Sequence, residues 1–153
     1  MSGSLVLLLF LKMQGHWFGD GYRHSFVSGS DRPIQVEVNS EIQGDLLISR
    51  NTVTEEGQTY ERIYWLRAKK GESDVFELGY GDGASPEVSA VGIYSENSFE
   101  VEQPLTPELV LKSKTVFESD QSLYSEKGYR GDSLLFETKI TFVRKPLGKS
   151  RDR

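Results

Sequence analysis

From His16 to Arg144 the chain alternates apolar and polar residues with a period of two, broken by a turn cluster about every ten residues. Period two belongs to strands, because successive strand side chains point to opposite faces. After residue 15 no segment holds a 3.6-residue period over a helical length. The alternation predicts strands at 16–27, 33–39, 44–52, 59–69, 74–80, 87–95, 99–103, 109–118, 123–130 and 134–144. Between them stand polar and glycine-rich connections such as Glu55-Glu56-Gly57-Gln58, Lys70-Gly71-Glu72-Ser73, Gly81-Asp82-Gly83 and Ser119-Asp120-Gln121. So large a sheet with one apolar face must close or fold double, and closure removes its exposed edges. The expected fold is all-β, an antiparallel up-and-down barrel of eight to ten strands preceded by a short helix. A β-sandwich is the alternative. A length of 153 residues suits one domain. The barrel is expected over 16–145, between an apolar segment 1–15 and a basic tail 146–153.

Composition excludes several classes of chemistry. Cysteine is absent, which removes disulfides, thiolate metal sites and a cysteine nucleophile. His16 and His24 are the only histidines, so no three-histidine zinc site can form. The net charge of −5 argues against non-specific nucleic-acid binding, which needs basic side chains on phosphates. The apolar run Leu5–Leu11 is seven residues, against the roughly 20 that cross a bilayer. It reads as a short helix capped by Ser4 that covers a core. The other reading is a remnant of a signal sequence, and with it the compartment stays open. Arg144–Arg153 carries a net +4, leaving the rest of the chain at −9. The tail reads as a solvated end.

The approach to the first strand, Gly15-x-Trp17-x-Gly19-x-Gly21, resembles the opening of the calycin barrels: lipocalins, fatty-acid-binding proteins and lipocalin-like families such as the nitrobindins. The resemblance implies that a short helix leads into the first strand and that Trp17 closes the bottom of the barrel. It also implies that an arginine ending the last strand, here Arg144, packs on the indole. It further implies a small-molecule binder without catalytic machinery. Nitrobindins hold haem through a histidine near the C-terminus of the domain. This chain has none after His24, so that site is not expected, nor is any other cofactor or metal.

Strand parity selects the candidate binding residues. Trp17 shares a face with Gly19, Gly21 and Arg23; Leu46 and Ile48 with Arg50 and Thr52; Tyr60 with Arg62 and Tyr64; Val88 and Ala90 with Tyr94. Leu109, Leu111, Ser113, Thr115 and Phe117 form a further set, as do Phe136 and Thr138. Arginines, tyrosines and hydroxyls on interior faces do not suit a solid core, because an unpaired buried charge is costly. They suit an apolar cavity above roughly 300 Å³ with a few convergent polar groups. The expected ligand site is Arg23, Arg50, Arg62, Tyr64, Tyr94, Leu109, Leu111, Ser113, Phe117 and Phe136. If the turn near Gly57 is symmetric, Arg50 faces Arg62 or Tyr64, and both guanidiniums converge on an anionic or carbonyl group. The opposing reading places the arginines at the rim or pairs them with Glu37, Glu61 or Glu77. Glu55-Glu56 and Glu100/Glu102 read as solvated surface, and Arg130-Gly131-Asp132 as a hairpin turn. The function expected is the binding of a small apolar or amphipathic molecule. A filled interaction barrel is the alternative, and behind it an isomerase or lyase using His24, Tyr64 or an interior glutamate. Oligomeric state is left open.

Overall fold

A computed structural model of the chain describes residues 4–81 and 87–145. The side chain of Ser4, the Asp82-Gly83 break and the basic tail 146–153 lie outside the described residues. Helix α1 spans Ser4–Met13. Ten strands follow: β1 Gly15–Ser25, β2 Asp31–Gln43, β3 Leu46–Glu55, β4 Gln58–Ala68, β5 Val75–Tyr80, β6 Ala90–Ser95, β7 Ser98–Pro104, β8 Leu109–Glu118, β9 Gln121–Arg130 and β10 Ser133–Lys145. Each pairs antiparallel with its neighbour in sequence, and β1 pairs with β10, so the sheet closes into a barrel. This is the expected architecture, and the closed sheet excludes the sandwich. Tight hairpins hold the register. Between β3 and β4, Glu56 (φ 53°) and Gly57 (φ 77°) both take the left-handed conformation that a two-residue turn with the strands' own twist demands.

One end of the barrel is plugged. Val6, Leu9 and Phe10 of α1 are buried against Leu47, Leu66, Phe76 and Val101. The opposite side of the helix is apolar too, and Leu5, Leu7, Leu8 and Leu11 are exposed. Only half of the apolar run therefore covers the core.

The helix is fastened by the junction it makes with β1 and β10. A helix C-terminus leaves carbonyls without intrahelical partners. Here Arg144 Nη2 donates to the Lys12 carbonyl at 2.7 Å, Arg144 Nη1 to Gln14 at 2.6 Å, and Trp17 Nε1 to Met13 at 2.9 Å. The guanidinium also stacks on Trp17, 4.3 Å from the ring centroid, a contact worth about 0.5–2 kcal/mol. Trp17 is 4% exposed and faces Arg144 across the β1–β10 ladder. Gly15 makes the corner at φ 116°, and a Cβ there would stand 2.7 Å from Arg144 Nη1.

Truncating Trp17→Ala removes a buried aromatic and should cost about 3–5 kcal/mol in denaturant unfolding. Arg144→Lys should lose about 1–3 kcal/mol, because one ammonium cannot reproduce two divergent hydrogen bonds and the stack.

Candidate ligand cavity

Above the plug the barrel holds a cavity of about 210 Å³. This is smaller than the roughly 300 Å³ expected of a ligand pocket. It runs from Met13 and Trp17 at the helix end to a mouth where Tyr60 and Tyr80 are exposed. One wall is apolar, built from Ile34, Val36, Val53 and Ile140, with Phe117 and Phe142 also lining the space. The polar wall lies mainly on β3, β4 and β9.

On β3 and β4 the lining is Ser49, Asn51, Tyr60, Arg62 and Tyr64. Ser40 Oγ donates to Ser49 Oγ at 3.1 Å, and Asn51 Nδ2 to the same oxygen at 3.2 Å. Burial pushes the Tyr64 phenol above its ordinary pKa, while hydrogen bonds to Ser49 and Asn51 and the charge of Arg62 pull it back. The charge of Arg62 opposes the same upward shift at Tyr60 and Tyr124, and its guanidinium stands 5.7 Å from the Tyr60 ring. Among the described residues no carboxylate lies within 4.0 Å of its guanidinium.

Arg23 differs in this respect. Its Nε donates to Thr138 Oγ1 at 2.9 Å and its Nη1 to Glu55 Oε2 at 3.1 Å, and its Nη2 lies 3.8 Å from Glu126 Oε1. Glu55 also accepts from the Tyr60 hydroxyl at 3.1 Å, and Glu126 accepts from Tyr124 at 3.0 Å. Burial and the adjacent Glu126 carboxylate raise the Tyr124 pKa well above the ordinary value. The partners of Arg23 are thus Glu55 and Glu126, not Glu37, Glu61 or Glu77. Glu55 is not solvated surface: its side chain is 11% exposed. Glu56 beside it is open and pairs with Arg32.

Of the ten candidate residues, Arg23, Arg62, Tyr64, Leu111, Ser113 and Phe117 line the cavity. Arg50 does not. The hairpin pairs Glu55 with Gln58, which sets Arg50 opposite Ile63 and Arg62 opposite Asn51. A slip of one residue reverses every face of a strand, so Arg50 is exposed outside and the two arginines do not converge. Leu47, Ser49, Asn51 and Val53 hold the inward face instead. Ile48 misled the parity because it is buried on the outer side, opposite Trp65, itself only 1% exposed. Trp65 lies on Gly79 there, with the Glu87 carbonyl close by. Tyr94 belongs to the plug, packed with Phe76 and the helix. Leu109 and Phe136 fall outside the lining; Phe136 sits 5.4 Å from the Arg23 guanidinium near the mouth. His24 is held at 2.6 Å by Asp31 and does not line the cavity.

Glu126, Tyr124 and Ser122 escaped sequence reasoning. On β9 the outward Leu123 is 37% exposed while polar residues turn inward, so the alternation points to the wrong face. Among the described residues no group of His, Asp and Glu side chains is placed to hold a metal, and no helix is long and apolar enough to cross a membrane.

No family model and no curated protein matches the sequence. Solved structures do match. The S-type phycobiliprotein lyase CPES from Guillardia theta superposes with a TM-score of 0.74 at 13% identity, covering 95% of this chain and 94% of that one. Rv2717c from M. tuberculosis gives 0.66 at 17% identity, covering 95% of this chain and all of the other. The fold is calycin-like. At these identities the likeness is one of architecture.

Tyr64 and Tyr124 should ionise above the ordinary tyrosine pKa of 10.0 in an ultraviolet titration, and Tyr124→Phe should remove the last-titrating phenol. Below pH 10 folded and unfolded chains both keep these protons. Above it the unfolded chain releases them first, so stability to denaturant should fall as pH rises past 10 and fall less in Tyr124→Phe.

Proposed function

We propose that this protein binds a small amphipathic molecule in the barrel, its apolar body against Ile34, Val36 and Phe142 and its anionic or carbonyl group on Arg62. The observation that carries this reading is the contrast between the two arginines that line the cavity, Arg23 and the more exposed Arg62. Arg23 is engaged by Glu55 and Thr138. Arg62 reaches the same cavity without a carboxylate within 4.0 Å among the described residues. A guanidinium flanked by phenol and amide groups supplies charge-assisted hydrogen bonds to an incoming carboxylate. The small volume favours a compact ligand or one whose end projects from the mouth. The fold shared with a phycobiliprotein lyase supports ligand handling rather than a filled structural barrel. A lyase or isomerase is the second reading, favoured by the Tyr124–Glu126 pair inside the cavity.

Displacement of 8-anilinonaphthalene-1-sulfonate by medium-chain fatty acids and aromatic carboxylates tests the proposal. Wild type should bind the better competitors in the micromolar range, and Arg62→Ala should weaken them about tenfold, the loss expected for one charge-assisted contact. Absence of binding at high micromolar concentration gives the filled barrel instead. Binding unaffected by Arg62→Ala keeps the cavity and removes Arg62 from it. Mass spectrometry of the recovered ligand separates binding from conversion.

A further inference from the structure

The closed end of the barrel carries a second surface of interest. Helix α1 is apolar all round: Val6, Leu9 and Phe10 face the barrel, while Leu5, Leu7, Leu8 and Leu11 face away and are 41–53% exposed. No polar residue interrupts the run from Leu5 to Leu11. A helix of this kind is normally buried on every side, and a contiguous exposed apolar patch marks contact with another surface.

The other end of the chain arrives at the same place. Arg144 donates to the Lys12 and Gln14 carbonyls, and the exposed Lys145 pairs with His16, so β10 ends beside the last turn of α1. Beyond it the sequence adds Lys149, Arg151 and Arg153 against Asp152. Eight residues reach at most about 28 Å, so these charges stay within that distance of Lys145 whatever their path. Exposed acids also stand in the turns of this end, at Asp45, Glu96 and Asp120. Charge therefore sets a preference, and the leucines supply the affinity.

The composition of the face selects its occupant. Four half-exposed leucines fall well short of the roughly 800 Å² that each partner buries in a stable dimer. Protein interfaces are built instead on aromatic, methionine and arginine anchors. An aliphatic face beside a basic chain end matches the boundary between acyl chains and anionic headgroups. With ten residues α1 is about 15 Å long, half the roughly 30 Å of bilayer hydrocarbon, so it can lie along that boundary but not cross it. We infer that the closed end of the barrel docks on an anionic lipid surface, with Leu7, Leu8 and Leu11 among the acyl chains and the cations of the chain's end among the headgroups. The cavity mouth then opens away from the lipid. The inference stands apart from the reading of Arg62.

Co-sedimentation of the full chain with vesicles of phosphatidylcholine, and of equal parts phosphatidylcholine and phosphatidylglycerol, tests it. Wild type should bind the anionic vesicles severalfold tighter, and added salt should erode that margin. The triple variant Leu7→Gln, Leu8→Gln and Leu11→Gln should lose about a hundredfold on either vesicle, since these side chains lie outside the core. Lys149→Gln with Arg151→Gln and Arg153→Gln should lose about tenfold on the anionic vesicles alone. Because the chain has no cysteine, a dye on Leu8→Cys reports the face directly, even if the triple variant does not fold. Its emission should shift to the blue on vesicle addition, while the same dye on Val27→Cys, at the mouth end, should not respond. The inference is overturned if wild type fails to sediment with anionic vesicles, if it ignores phosphatidylglycerol, or if the two dyes respond alike. A leucine-dependent dimer in sedimentation equilibrium, without vesicle binding, gives the face to a second copy and overturns it too.

Discussion

The structure depends on the junction where Arg144, from the end of the chain, meets Trp17 and the C-terminal turn of α1. A barrel made from one meandering sheet has two open ends, and each exposes interior side chains to water unless something covers it. At one end the cover is a ten-residue helix. A helix that short is marginal by itself, and its last carbonyls need donors. Arg144 and Trp17 supply three, to Lys12, Met13 and Gln14, while the guanidinium stands over the indole ring. The same contact locks β10 beside β1, the pairing that closes the sheet. Gly15 is the condition for all of it, since both its φ and its closeness to Arg144 exclude a side chain.

Closing one end decides what the rest of the interior becomes. Below, the helix residues Val6, Leu9 and Phe10 complete a dry core with Leu66 and Phe76. Above, among the described residues, nothing of comparable bulk enters from the other end, and the inward residues change from large apolar to small and polar: Ser40, Ser49, Asn51, Thr115, Ser122 and Thr138 are buried there. Buried polar groups are tolerated because they satisfy one another. The Arg23–Thr138–Glu55 set and the Ser40–Ser49–Asn51 set do this within the protein. Arg62 lines the same cavity but is exposed to water, and among the described residues it has no carboxylate within 4.0 Å. The proposed anion site rests on the contrast between Arg23, held by Glu55, and Arg62, which has no such partner among the described residues.

The exterior carries apolar surface of its own. Trp65 and Ile48 are buried on the outside of the sheet, where bare Gly79 leaves room for the indole. Arg67 covers Trp65 at 5.0 Å and is itself held by Glu77 at 2.8 Å. This outer cluster explains why alternation was a sound guide to the number of strands and a poor one to their faces. Where apolar residues occur on both sides, as in Leu46-Leu47-Ile48, parity cannot say which side is inside.

Strand count and antiparallel order were legible in the sequence, since each is set by local rules, period two and short turns, and the Trp17–Arg144 pairing was implied by the resemblance to calycin barrels. The candidate site was legible in part. Arg23, Arg62 and Tyr64 share inward faces that survived the parity argument, whereas Arg50 was lost to a register of one residue and Tyr94 to the plug. Glu55 looked like an ordinary surface acid, and Glu126 did not stand out at all, because nothing in their neighbourhood along the chain reveals Arg23. Sequence alone determined a closed β-meander with a helical stopper, because backbone periodicity and turn chemistry act over a few residues. Only the tertiary structure decided which side chains meet inside, because that depends on register and closure across strands as distant as β4 and β9, which approach only once the ring is complete.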